Sequence, residues 1–242
     1  MTGFKNLSIV LIVFFALSPL ASRAAVTFGV GNNGPALVDF NSPGMVNPQY
    51  NVNGTTVSFG ALFAGQTMGA MPNEVVVTNP VGPLSLSGTG PDVATQFDLS
   101  AAGLVLGGFS QGQFYTTPIA VLFSNPVNSV SFDLGHLDHA GTTLVAAYDA
   151  NGQSLGVFGN PSQGWQSLNL TESTNSNTIS GISIFVPEGG MDWEGFSVDN
   201  LSFAFADGDE VIPEPGTLAI WTIIGLVGCV SFSARKLGLV RR

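Results

Sequence analysis

Between Ala24 and Ala234 the chain contains no lysine and no arginine. All six basic residues are terminal (Lys5, Arg23, Arg235, Lys236, Arg241 and Arg242), whereas all sixteen acidic residues lie between Asp39 and Glu214. An interior of this kind repels nucleic acid and anionic lipid headgroups, so both are excluded as partners of the central region. It also has no cation for salt bridges, so a buried carboxylate there needs hydrogen bonds, a proton or a metal ion. Divalent cations, calcium first, are the available counter-charge outside a cell. Cysteine is almost absent too: Cys229 is the only one, and it sits in an apolar run near the end of the chain. The central region therefore has no disulfide and relies on its core. Helical periodicity is missing between Val26 and Ile212, where most of the 31 glycines and 14 prolines interrupt the chain.

What is present at the ends has a clear order. Met1 to Lys5 is a short positive start, Leu7 to Leu17 is unbroken apolar sequence, and Ser22-Arg23-Ala24 places small residues at −3 and −1 of a cut before Ala25. This is expected to be a secretory signal peptide, 1–24, with an uncleaved anchor as the alternative. At the other end Pro213-Glu214-Pro215 breaks any regular structure. An uncharged stretch from Gly216 to Ala234 follows, and a helix over 217–234 would cross most of a bilayer at about 1.5 Å per residue. Arg235, Lys236, Arg241 and Arg242 would hold its far end on the cytoplasmic side. The order Pro-Glu-Pro, apolar helix, basic cluster resembles the PEP-CTERM sorting tail of Gram-negative bacteria that make exopolysaccharide. The resemblance covers about thirty residues. It implies export through the inner membrane, transient anchoring there, processing near Pro213, Glu214 and Pro215 by an exosortase-like enzyme, and delivery to the cell surface or extracellular matrix.

The middle, 25–212, shows period-two alternation. Val57 and Phe59 alternate with polar neighbours, as do Val130, Phe132 and Leu134, then Leu144, Ala146 and Tyr148, then Ile182, Ile184 and Val186. Asp149-Ala-Asn-Gly152 is a hairpin signal between two such runs. The phase slips between Phe196, Val198 and Leu201, Phe203, Phe205, which predicts a bulge or bend at Asp199-Asn200. The expected fold is all-β, an antiparallel β-sandwich between a signal peptide and one C-terminal transmembrane helix. The strand order of the loop-rich first half, up to about Phe114, is not readable. Segments 128–135, 142–156 and 195–203 also resemble jelly-roll modules of the galactose-binding-like kind. That likeness implies a jelly-roll-like sandwich, sugar binding through loops, and a structural calcium near the first and last strands. Asp39 and Asp199 are its candidate ligands.

Several motifs suggest chemistry. Gly108-Phe-Ser110-Gln-Gly112 matches G-x-S-x-G, but Pro118 follows closely and no helix is predicted after it. Gly29 to Gly34 matches G-x-G-x-x-G without a βαβ unit around it. His136 and His139, the only histidines, could bind a transition metal with Asp133 and Asp138, yet one short loop supplies too few ligands for a closed site. Trp193, flanked by Asp192 and Glu194 on a glycine-rich loop, could form a sugar platform, with Trp165 and Tyr115 as possible additions. Buried packing is the competing role for these rings. The expected function is that of a non-enzymatic surface or matrix protein associated with exopolysaccharide. A carbohydrate-binding module is the alternative, and a polysaccharide hydrolase or lyase ranks below both because the interior lacks lysine and arginine.

Overall fold

The computed structural model describes residues 25–31, 38–69, 76, 78–101, 103–110, 113–115, 117–187 and 195–206. The expected leader 1–24, the tail 213–242 and the residues Asp192, Trp193 and Glu194 lie outside the described residues. No helix among the described residues is long and apolar enough to cross a membrane.

Regular structure among them is all strand. In chain order the strands are β1 (Val26–Val30), β2 (Gln49–Val52), β3 (Thr55–Gly60), β4 (Asp92–Asp98), β5 (Gly103–Ser110), β6 (Gln113–Phe114) and β7 (Ile119–Val127). They continue as β8 (Ser129–Leu137), β9 (Leu144–Tyr148), β10 (Ser154–Gly159), β11 (Gly164–Glu172), β12 (Ile179–Phe185) and β13 (Ser197–Ala204). Two antiparallel sheets result. One runs β1-β11-β8-β13-β5-β4, with β6 paired to β5, and the other runs β10-β9-β12-β7-β3-β2. The fold is an antiparallel β-sandwich, as the alternation predicts.

The core fills the space between the inner faces. Val130, Phe132 and Leu134 of β8 are fully buried in it, whereas Ser129, Ser131 and Asp133 take the opposite face, as strand geometry requires. Phe40, Tyr50 and Phe59 meet edge to face with centroids 5.4–6.1 Å apart. The Asp149–Gly152 turn forms as expected: Asp149 N–H donates to Gln153 O at 3.0 Å, and Gly152 takes φ 72°. The bulge in β13 also forms, as a register shift between Asp199 and Ser202 with Asn200 at φ 50°.

One strand differs from its expected role. Leu144, Ala146 and Tyr148 do alternate, but Val145 and Ala147 are the β9 residues that enter the main core. Ala146 and Tyr148 join Phe63 and Ala120 in a second apolar cluster, flanked by Leu84, Leu86, Leu122 and Phe185. The second cluster exists because the loop residues 61–64 and 84–87 lie across the outer face of the six-stranded sheet. Backbone bonds tie them down, including Ala64 N–H to Ser85 O and Leu84 N–H to Ala150 O, both 2.8 Å. Gly181 allows the approach: a Cβ there would come 2.7 Å from Phe63 Cζ. The larger sheet keeps a hydroxyl- and amide-rich outer face along β11, β8 and β13, and the candidate site lies on that face.

Candidate functional site

Pairing sets Ala94, Gly107, Ser197 and Gly135 side by side across β4, β5, β13 and β8. Four small residues in a row leave a trough on the outer face. Two rings fill part of it. Tyr115 lies over Gly107, where a Cβ would come 2.8 Å from its Cδ1. Trp165 lies over Gly135, where a Cβ would fall inside the indole's van der Waals surface.

The ring of Trp165 is held by a network that begins with a bulge. Between Leu134 and Leu137, β8 uses one residue more than β11 uses between Gln166 and Gly164. His136 absorbs the difference at φ 62°, a left-handed conformation costing about 1–2 kcal/mol for a non-glycine residue. The kink turns its side chain toward Asp98 at the end of β4. His136 Nε2 and Asp98 Oδ2 are 2.5 Å apart, and the Asp98 side chain is only 4% exposed. Ser100 N–H and Oγ–H both donate to Asp98 Oδ1, at 2.7 and 2.8 Å. Trp165 Nε1–H then donates to Ser100 Oγ at 3.1 Å. Burial pushes the Asp98 carboxyl up, but the hydrogen bonds from His136 and Ser100 outweigh it and hold the group below the usual aspartate range. Burial, followed by the charge of Asp98, pushes the Tyr115 phenol up to about 12.

Serine, histidine and aspartate in contact invite a catalytic reading, but the geometry differs from a nucleophile relay. A relay puts the carboxylate on one imidazole nitrogen and the hydroxyl on the other. Here Nε2 faces both, with Ser100 Oγ 3.4 Å from the nitrogen already paired with Asp98. The hydroxyl proton is directed at Asp98, and its oxygen accepts from the indole. The arrangement anchors a ring.

Beside that ring lies a cavity of about 270 Å³, lined by Trp165 and by Asp133, Ser167, Asp199 and Asn200. The register places Ser167, Asp133 and Asp199 in one row across β11, β8 and β13. Ser167 Oγ–H donates to Asp133 Oδ1 at 2.5 Å, and Asn200 Nδ2–H, aimed by the β13 bulge, donates to Asp133 Oδ2 at 2.7 Å. Asp199 accepts the Asn200 N–H at 2.8 Å. Burial pushes the Asp199 carboxyl up, the Asn200 N–H opposes this, and the charges of Asp39 and Asp133 add to the rise.

Asp39 and Asp199, the expected calcium pair, are thus brought within electrostatic reach by the Val38–Leu201 bridge. Asp39 is exposed, however, and accepts from Asn41 Nδ2–H at 2.8 Å. Among the described residues no three His, Cys, Asp or Glu side chains group as a metal site. The two histidines separate: His136 pairs with Asp98, while His139 is exposed and lends its carbonyl to Asn160 Nδ2–H at 2.7 Å. Ser110 of the G-x-S-x-G motif ends β5 and pairs with Gln113 in a hairpin, not at a strand–helix elbow. Asp98 and Ser100 gave no sequence signal, because their partners are 36 to 65 residues away. Neither a protein-family model nor a curated protein matches this chain.

Proposed function

We propose that this is an exported, non-enzymatic protein of the cell surface or extracellular matrix, delivered by its C-terminal tail and associated with exopolysaccharide. The observation that carries the reading is the partition of charge. All six basic residues flank the chain's two apolar segments, and the sixteen acidic residues lie between them. In this reading 1–24 is a signal peptide, 25–212 is a jelly-roll-like sandwich, and 213–242 is a PEP-CTERM-type tail with a membrane helix at 217–234. Pro213 and Pro215 keep the chain extended, so its free amides and carbonyls suit capture by an exosortase-like enzyme. Arg235, Lys236, Arg241 and Arg242 orient the helix so that the motif faces outward from the inner membrane.

Expression with and without an exosortase tests the proposal. The C-terminal segment should be lost only when the enzyme is present, and Pro213→Ala, Glu214→Ala and Pro215→Ala together should block the loss. Full-length protein remaining in the native membrane fraction would refute it. A second reading, a carbohydrate-binding module, is favoured by the cavity beside Trp165.

A further inference from the structure

We propose that the cavity between Trp165 and the Asp133–Asp199 pair binds one ring of a neutral polysaccharide, the indole lying against C–H surface and the carboxylates accepting ring hydroxyls. The inference rests on the reading of the protein as matrix-associated and gives that reading a site built from Trp165, Asp133 and Asp199.

Three features lead to it. The first is preorganisation. Trp165 is fixed by its N–H bond to Ser100 and by contact with Gly135, so binding need not immobilise it. With that N–H already used, the indole offers the cavity carbon surface and π density, which suits the axial C–H face of a sugar. The second is acceptor capacity. Asp133 is oriented by Ser167 and Asn200, yet each carboxylate oxygen can accept a second donor. Asp199 accepts the Asn200 backbone N–H on Oδ1, and a carboxylate's two oxygens have room for further donors. Partial burial and neighbouring carboxylates make that position costly for a lone anion. Hydroxyl donors from a ligand would relieve it. The third is the mixed wall itself, one aromatic side and one acceptor side, spaced by the sheet.

The same chemistry sets the ligand class. Asp133, Asp199 and nearby Asp39 repel an anionic sugar, and no lysine or arginine lies between Ala24 and Ala234 to offset them. Uronic-acid polymers are therefore rejected and neutral chains accepted. At about 270 Å³ the cavity is smaller than the roughly 300–1,000 Å³ of sites that enclose a drug-sized molecule. It fits one ring of a longer chain, and affinity in a matrix would come from repeated contacts.

Affinity electrophoresis of the full chain through gels containing soluble β-glucan, galactan, mannan or polygalacturonate, each run in parallel with millimolar EDTA and with millimolar calcium, tests the proposal. At least one neutral polymer should retard the protein, and polygalacturonate should not. Trp165→Ala should weaken retardation about tenfold or more, in line with loss of a central aromatic anchor. Asp199→Asn, which removes charge repulsion and keeps the fold, should weaken it several-fold. Retardation by none of the neutral polymers overturns the proposal. So does retardation that EDTA abolishes and calcium restores, since the cavity would then hold a cation. Preference for polygalacturonate, or wild-type retardation of Asp199→Asn, also overturns it. Tail removal, measured by mass on the same preparations, is independent of these results: intact processing with no glycan binding would remove this inference and leave the sorting proposal standing.

Discussion

Replacing Asp98 by alanine should loosen the aromatic wall of the site, and the size of the effect follows from the contacts it removes. The carboxylate accepts from Ser100 N–H, Ser100 Oγ–H and His136 Nε2. Ser100 is exposed, so its donors can turn to water, and its two bonds contribute little more than about 0.5 kcal/mol each. The His136 bond is better shielded, with side-chain exposures of 19% and 4%, and a bond to a charged group contributes about 1.5–3 kcal/mol. The expected loss at pH 7 is about 2–4 kcal/mol, a fall in Tm of about 4–16 °C for a domain of this size. Its pH dependence has a definite sign. Asp98 titrates below its ordinary range in the fold, so its contribution is complete above the unfolded value near 3.9 and is lost as pH falls through the lower folded value. Urea unfolding of wild type and Asp98→Ala should therefore differ at pH 7 and converge in strong acid. The chain has three tryptophans, so Trp193→Phe with Trp221→Phe leaves Trp165 as the sole indole. In that background Asp98→Ala should increase acrylamide quenching. A stability difference independent of pH, or unchanged quenching, would refute the reasoning.

The bulge gives a paired comparison. His136→Ala loses the bond and keeps the strained φ of 62°, whereas His136→Gly loses the bond and relieves the strain, so the glycine variant should be the more stable by about 1 kcal/mol in urea unfolding. Phe63→Ala should cost about 3–5 kcal/mol, a core-sized penalty from a residue in the loop-rich half, with limited proteolysis increasing around 61–66 and 81–87. Glu172, 3% exposed, is opposed by burial but accepts from the backbone and hydroxyls of Ser176 and Thr174, which lower its pKa. Glu172→Gln should therefore destabilise at neutral pH, with the difference fading as pH falls through the folded value, measured by thermal melts across pH. Asp199 has the opposite sign: its carboxyl is raised, so its charge opposes folding above the folded pKa, and Asp199→Asn should raise Tm at pH 7 and lose that advantage in acid.

Sequence alone determined the class of fold and much of its detail. Period-two alternation over Val130 to Leu134 and Ile182 to Val186 identifies the faces that enter the core, because a strand turns successive side chains to opposite sides. The Asn151-Gly152 turn and the Asp199 bulge are equally local, each set by a backbone preference or a phase slip within a few residues. The charge partition also needs no structure. Only the tertiary fold decided the rest. Alternation in β9 marks two faces but not which one meets the main core, since both are covered, and the cover comes from the loops carrying Phe63, Leu84 and Leu86 through a glycine at 181. The site depends on pairing order: β11, β8 and β13 become neighbours although they are far apart in the chain, which sets Ser167, Asp133 and Asp199 in one row. His136 reads as a loop histidine in sequence. It becomes part of the site because one extra residue in β8 rotates it onto Asp98, and that bond, through Ser100, holds Trp165 over Gly135. Long-range pairing and the sign of a single φ angle leave no periodic trace, so these features become visible only when the sheets are assembled.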